Sequence, residues 1–360
     1  MAKSYRVWVT QAWLGYRRAR NFARLSTFVV GYILMSIGDL IRLLGDGNYH
    51  SGQQLGEHLG VSRTAVWKQL KKLEAMDLPL EAVKGRGYRL INSLESIDGA
   101  SIVSQLSAGP RHHLKRLFVE DVLDSTNTFL RDRFRHGAGH GEVCLAESQT
   151  AGRGRRGKAW STSWGGSLIL SLGWRFESGV AALEGLSLAV GVVLAEVIET
   201  LGVNVALKWP NDVLIAIGDE WRKLAGILLE VTGDVEGPCE VVIGIGVNVS
   251  LNDAVRKAAG QPIGALADVI DFPSRNHVAA ALIESLLTML PEFERQGFSA
   301  WRAEWNRRHA YAGHAIRIHQ GSTSYTATAI EVDRQGNLMV MTDTGERALT
   351  GGEISIRLEE

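Results

Sequence analysis

The chain has 360 residues, 45% of them hydrophobic and 22% charged, the proportions of an ordinary soluble globular protein; at ~100–200 residues per domain the length suggests two or three domains. Its 39 Lys and Arg balance 39 Asp and Glu, which excludes nucleic-acid binding through net charge and leaves only a local basic patch for it. The two cysteines, Cys144 and Cys239, exclude a disulfide framework, fit a reducing cytoplasm, and lack the neighbours of a metal site, so both read as core residues.

The N-terminus places Arg17, Arg18, Arg20 and Arg24 before an apolar run at 28–34, which imitates the charged and apolar regions of a signal peptide. The run is too short to span a bilayer, and no small-residue cleavage site follows. Met35 leads directly into the helical pattern of 37–44. Residues 1–34 are therefore expected to be an extension from an upstream start codon, with Met35 the true start.

Residues 35–98 read as a winged helix-turn-helix domain. A short helix at 53–60 is followed by the turn Gly60-Val61-Ser62, in which Ser62 is a good helix N-cap. The next helix carries Val66, Leu70 and Leu73 at helical spacing, so one face packs inward. Arg63, Thr64, Lys68, Gln69 and Lys71 then face outward, as a recognition helix in a major groove requires. Two strands within 80–90 flank Gly85-Arg86-Gly87, which reads as a basic wing carrying Arg86. The candidate DNA-binding residues are Ser62, Arg63, Thr64, Lys68, Gln69 and Arg86, with phosphate contacts giving salt-dependent affinity; the other reading of this unit is a helical pair for protein contact.

Residues 99–308 read as a mixed α/β domain, with strands at 142–146, 167–174 and 240–249 and amphipathic or apolar helices at 183–200 and 278–294. Asp124-Ser125-Thr126-Asn127 precedes a helical stretch, and taken alone reads as an N-cap cluster. The densest chemistry is Gly152-Arg153-Gly154-Arg155-Arg156-Gly157-Lys158-Ala159-Trp160, after Gln149. It imitates a dinucleotide fingerprint, but no helix follows it. It also imitates a P-loop, but Ala159 stands where a magnesium-binding hydroxyl is needed. What remains is an Arg/Gly loop that holds an anion by side chains as well as backbone; the other reading is a solvated basic loop. Downstream lie Lys208-Trp209-Pro210-Asn211-Asp212, then Lys223-Leu224-Ala225-Gly226 at the mouth of a buried strand, and Gly244-Ile245-Gly246-Val247-Asn248 closing another. Residues 309–360 alternate apolar and polar at 315–318, 325–332, 338–342 and 353–358, an all-β unit of short strands.

This order of motifs, ending in Gly351-Gly352-Glu353, resembles biotin protein ligases. The helix-turn-helix makes it similar to the bifunctional subgroup, which also represses biotin synthesis genes. The resemblance covers about residues 37–358. It implies a central domain like the class II synthetases, closed by a C-terminal SH3-like β-barrel. It also implies ATP with Mg²⁺ and biotin as substrates, a biotin carboxyl carrier protein and operator DNA as partners, and a homodimer when adenylate is bound. No membrane association is implied. Biotin would be activated as biotinyl-5′-AMP and passed to a carrier lysine.

By the same resemblance Ser125, Thr126, Asn127 and Gln149 would meet the biotin ring, and Arg153, Gly154, Arg155 and Gly226 would line it. Lys223 would sit at the biotin carboxylate as the main catalytic residue, with Arg155 and Lys208 beside it. Arg156, Lys158, Trp160, Asn211 and Asn248 would complete the ATP side, Asp212 would face Mg²⁺, and Glu353 and Arg357 would reach the nucleotide or serve structure alone. Lys158 stands where many relatives have arginine, and loses the bidentate fork. The segment 215–222 is longer than expected and should extend a hairpin away from the site; a register slip there would turn Lys223 to the wrong face. The alternatives are a ligand-responsive repressor without ligase activity, a lipoate or octanoate ligase, and a ligase whose front module no longer binds DNA.

Overall fold

The computed structural model describes residues 37–76, 78, 80–91, 94–234, 236–271, 274–321, 323–351 and 354–358. The 1–34 extension, the start at Met35, and Glu353 lie outside the described residues.

Helices α1 (Ile37–Leu44), α2 (Gly52–Leu59) and α3 (Arg63–Ala75) precede a hairpin of β1 (Leu80–Val83) and β2 (Gly87–Leu90). Their limits follow from local chemistry. Ser51 and Gln54 form a reciprocal capping box on α2, and Gly60 ends it at φ 66°. The Ser62 hydroxyl oxygen accepts from the Ala65 N–H at 3.2 Å and starts α3. Val66, Leu70 and Leu73 turn inward as expected and join Leu40, Ile41, Leu44 and Leu55 in a small core. Trp164, nearly a hundred residues along the chain, completes that core. Arg42 of α1 donates to Asp121 at 2.8 Å, tying the module to the next domain.

That domain is built on a seven-stranded mixed sheet. Its strands are β3 (Arg116–Leu123), β4 (Glu142–Gln149), β5 (Ser167–Phe176), β6 (Val205–Lys208), β7 (Asp212–Ile217), β8 (Glu220–Gly233) and β9 (Cys239–Asn248). They lie in the order β3-β4-β5-β9-β8-β7-β6, with only β3 and β4 parallel. Apolar residues on one face (Leu168, Leu170, Leu172; Ile243, Ile245, Val247) pack under the helices Leu186–Glu199 and Arg275–Gln296. The first of these, with the turn before it, forms the stretch Val180–Glu199, long and apolar enough to cross a membrane but 67% buried as a core helix. Because strand residues alternate, Ser171, Gly244, Gly246 and Asn248 lie on the opposite face, toward the helix Thr126–Arg135. The site is on this second face.

A five-stranded antiparallel sheet follows: β10 (Ala315–Gln320), β11 (Thr323–Val332), β12 (Leu338–Thr342), β13 (Gly345–Leu349) and β14 (Ile354–Leu358), in the order β13-β12-β11-β10-β14. The four strands expected here are present, and β13 is additional. Its sequence Gly-Glu-Arg-Ala-Leu buries only Leu349, so it carried no alternating pattern. Ile316, Ile318, Val332 and Leu338 belong to the main core, so the small sheet is packed onto the larger domain without a seam.

Candidate functional site

A cleft of about 550 Å³ opens on the second face of the sheet. Every residue assigned by resemblance to biotin or ATP lines it, from Ser125 through Asn248, and so does Arg357. Its floor is a pair of strands stripped of side chains. Gly226 of β8 stands opposite Gly246 of β9, and a Cβ at Gly246 would come within 2.6 Å of the Trp160 ring. A Cβ at Gly244 would meet the Asn127 carboxamide oxygen at 2.2 Å. Glycine is required at both by the closeness of approach.

One end of the cleft is a buried polar network. Ser125 takes the N-cap position of its helix, but its side chain makes no cap hydrogen bond, so the simple capping role does not hold. The Gln149 side-chain oxygen accepts from the Thr126 N–H at 2.8 Å and lies 3.1 Å from the Thr126 hydroxyl. Ser171 Oγ lies 2.7 Å from Thr126 Oγ1 and 2.6 Å from Asn127 Oδ1. A hydroxyl has one proton, and Asn127 Oδ1 can only accept. Ser171 therefore donates to Asn127, leaving Thr126 to donate to Ser171 or Gln149. Ser125, Thr126 and Asn127 are each 3–4% exposed, which makes this a rigid, directional set of polar groups facing the cleft.

The Arg/Gly loop lines the cleft as a short hairpin. The Gly154 N–H donates to the Lys158 carbonyl at 2.7 Å, the Trp160 N–H to the Gly152 carbonyl at 2.9 Å, and Arg153 bridges to Ala159. Gly152 is needed because a Cβ there would meet the Trp160 carbonyl at 2.5 Å. The left-handed positions fall at Gly157 and at Arg156 (φ 58°), an arginine where such backbone favours glycine. Arg153 reaches Glu230 at 3.2 Å, and Arg155 donates to Asn211 Oδ1 at 3.0 Å, so the hairpin is held at both rims. Burial holds the Arg155 guanidinium below the ordinary arginine value, opposed by Asp212.

The other end gathers charge. Lys208 closes β6 and faces Asp212 across the turn into β7. Asn211 donates to the Ile227 carbonyl at 2.8 Å, pinning that turn to β8. Lys223 Nζ lies 2.7 Å from Asp212 Oδ1, both side chains largely buried, and 5.8 Å from the Trp160 ring. The register between β7 and β8 steps beside Lys223: Val213 pairs with Ala225 and Leu214 with Lys223, which leaves Leu224 as a bulge. The step turns Lys223 into the cleft rather than away from it, since Lys223 and Gly226, three apart, both line the same side. No residue of 215–222 lines the cleft, so that segment leads away from it as expected. Ile215, Ile217 and Arg222 lie under Gly264, whose N–H donates to the Lys223 carbonyl at 2.9 Å.

Burial depresses the Lys208 ammonium below the ordinary lysine value. Asp212 opposes the shift, while Lys223, Arg357 and Lys158 add to it. The cation is therefore lost at a lower pH than in a free lysine. An activity that needs this charge should decline early on the alkaline side, and Lys208→Arg, which stays charged, should move that decline upward in a pH–rate profile of the enzyme-catalysed step.

Several site residues carry no sequence signal. Ser171 is a lone hydroxyl in an apolar strand, and Glu230 is a lone carboxylate beyond the Lys223–Gly226 motif without a visible purpose. Val255, Ala258, Ala259 and Ile263 form an apolar wall, while Ile354 and Ile356 bring β14 to the rim. Asn248 Nδ2 points to the Lys223 and Gly264 carbonyls at 3.3 and 3.0 Å, so this amide holds the wall to the strand.

In the front module Arg63, Thr64 and Lys68 are exposed on α3, and Arg86 is exposed at the wing, stacked 4.2 Å from the Tyr49 ring. Ser62 uses its oxygen for the cap. Gln69 is half-buried with an orphaned side-chain oxygen, so it faces outward less than expected. Trp67, 53% exposed, is an outward residue that the apolar pattern hid.

Two family models match: an HTH domain over residues 39–89 and the biotin/lipoate A/B protein ligase family over 119–248. The bifunctional ligase/repressor BirA of Salmonella typhimurium is 38% identical over 322 residues, covering 89% of this chain and 97% of that protein. The biotin–[acetyl-CoA-carboxylase] ligase of Mycobacterium tuberculosis is 33% identical over 260 residues, covering 70% and 92%. Among solved structures, the Aquifex aeolicus biotin protein ligase in complex with biotin and ATP superposes with a TM-score of 0.58 at 23% identity, covering 68% of this chain and 100% of that one, and so shares the fold. With its helix-turn-helix in front of the ligase sheet, the chain belongs to the family of bifunctional biotin ligase/repressors.

Proposed function

We propose that this chain is an ATP-dependent biotin protein ligase that also represses transcription of biotin synthesis genes. In the first step a biotin carboxylate oxygen attacks the α-phosphorus of ATP, and pyrophosphate leaves. In the second, the ε-amine of a lysine on a biotin carboxyl carrier protein attacks the mixed anhydride's carbonyl carbon, and AMP leaves. The observation that carries the reading is the cleft itself, which joins a rigid polar pocket to the cations Lys208 and Lys223 and to Arg155 of the Arg/Gly hairpin.

Ser125, Thr126, Asn127 and Gln149 would hold the biotin ring, with Gly226 leaving room beside it. Lys223 would meet the carboxylate and the bridging oxygen, where preorganised positive charge stabilises the transition state. Lys208, Arg155, Arg156 and Lys158 would neutralise phosphate charge. Trp160 would cover the reacting end, with Asn211 orienting Arg155 and Asn248 supporting the adenine wall; Arg153 and Gly154 would complete the lid. Among the described residues no group of three or more His, Cys, Asp or Glu is placed to hold a metal. Magnesium usually needs only one or two carboxylates beside substrate phosphates, so Asp212 fits as the single protein ligand of an ion arriving with ATP, which would supply further neutralisation of phosphate charge.

Residues 35–98 would bind operator DNA, 99–308 would carry catalysis, and 309–360 would close the site as an SH3-like barrel. Adenylate-dependent homodimers would match paired operator half-sites, and the cytoplasm would be the setting. Biotin-dependent ATP–pyrophosphate exchange and label transfer to a carrier domain test the enzyme; absence of exchange would sink it. A gel shift on the chain's own biotin-gene promoter, with and without biotin and ATP, tests repression.

A further inference from the structure

Glu230 lies outside every motif of the cleft, yet two of its partners, Asn127 and Arg153, line it. Its Oε1 accepts from Arg131 at 2.7 Å. Its Oε2 accepts from Asn127 Nδ2 at 2.9 Å and from Arg153 at 3.2 Å. Arg153 also donates to Thr128 Oγ1 at 3.1 Å. One carboxylate oxygen thus holds both the amide in the pocket floor and the arginine that fastens the hairpin above it.

This arrangement does two things. A carboxylate can only accept, so it fixes which way the Asn127 amide lies: Nδ2 toward Glu230 and Oδ1 toward Ser171 and the cleft. It also gives the hairpin its anchor on the ring side, opposite the Arg155–Asn211 contact on the phosphate side. Opening either fastening would loosen the hairpin where it lines the cleft. Glu230 is 19% exposed at its side chain and Arg153 is 40% exposed, so the carboxylate is the more enclosed member of the pair.

We infer that Glu230 is a positioning residue that gates the cleft, orienting Asn127 and latching Arg153 over the ligand; this rests on the biotin ligase reading of the site. The gate acts on retention of biotin and its adenylate rather than on phosphoryl chemistry. The test is a chase of tritiated biotin from full-length wild type, Glu230→Gln, Arg153→Gln and the double variant, together with single-turnover adenylation rates. Each single variant should release biotin roughly 10-fold faster, the scale of one charge-assisted hydrogen bond discounted for exposure, with the adenylation rate of Glu230→Gln at saturating biotin within about threefold. Since both substitutions break the same latch and Glu230→Gln also frees Asn127, the double variant should be no faster than Glu230→Gln alone. Arg153 sits in the exposed hairpin, so its variant reads the latch even if Glu230→Gln folds poorly. Release by Arg153→Gln within twofold of wild type, or double-variant release equal to the product of the two singles, overturns the gate. A wild type that fails to bind biotin overturns the ligase reading and this inference together.

Discussion

Lys223→Ala is expected to lower biotin-dependent ATP–pyrophosphate exchange by about 10²–10³-fold, the usual loss when one preorganised donor at a developing oxyanion is removed. The expectation comes from position as much as from charge. Lys223 lies beside the bulge where the β7–β8 register shifts, its backbone is fixed by the Pro262 carbonyl and the Gly264 N–H, and its ammonium is 2.7 Å from Asp212. A cation with so little freedom needs no reorganisation when negative charge builds beside it. Lys223→Arg should restore only part of the rate, because a planar fork cannot replace a compact ammonium against both Asp212 and the cleft. Exchange by Lys223→Ala at the wild-type rate would remove this residue from the chemistry.

The largest effect on stability should come from Glu147→Ala. Glu147 and Arg275 are paired at 2.8 Å with each side chain only 2% exposed. Glu147 also accepts from the Ile97 N–H at 2.7 Å, and Arg275 donates to the Glu95 carbonyl. The pair therefore clasps β4, the long helix Arg275–Gln296 and the segment that enters from the front module. Removing the carboxylate leaves a buried guanidinium without its counter-charge, which costs about 3–5 kcal/mol. At roughly 2–4 °C per kcal/mol for a domain of this size, calorimetry should show a fall in Tm on the order of 10 °C. Glu147→Ala combined with Arg275→Met should recover much of that loss, because two apolar groups leave no charge stranded. Equal melting of wild type and Glu147→Ala would show that the clasp contributes nothing net.

Much of this fold was legible in the sequence where a residue type has one dominant use. Ser62 before an apolar helix, Gly60 at the turn, and Val66, Leu70 and Leu73 on one face needed no tertiary knowledge. The cleft was legible because its cations and hydroxyls occur in compact, ordered motifs. What escaped depends on neighbours far along the chain. Ser171 and Glu230 have meaning only beside Asn127 and Arg153. The wall at Val255–Ile263 contacts the site because Asn248 and the Lys223 backbone hold it there. β3 carries Arg116, Glu120 and Asp121 at a sheet edge, which blurs any alternation, and β13 buries a single side chain. The bulge at Leu224 is invisible to periodicity, yet it decides where Lys223 points.

Trp164 has a consequence for the architecture as a whole. It is 4% exposed, and its indole fills the core of the helix-turn-helix although it is covalently part of the chain between the Arg/Gly hairpin and β5. Emptying such a site typically costs about 3–5 kcal/mol, a large share of what so small a core supplies. The front module is therefore not a detachable cassette. A fragment cut after residue 98 would lack a keystone of its own interior, and grafting this module onto another enzyme would require the recipient to provide an aromatic plug at the matching place.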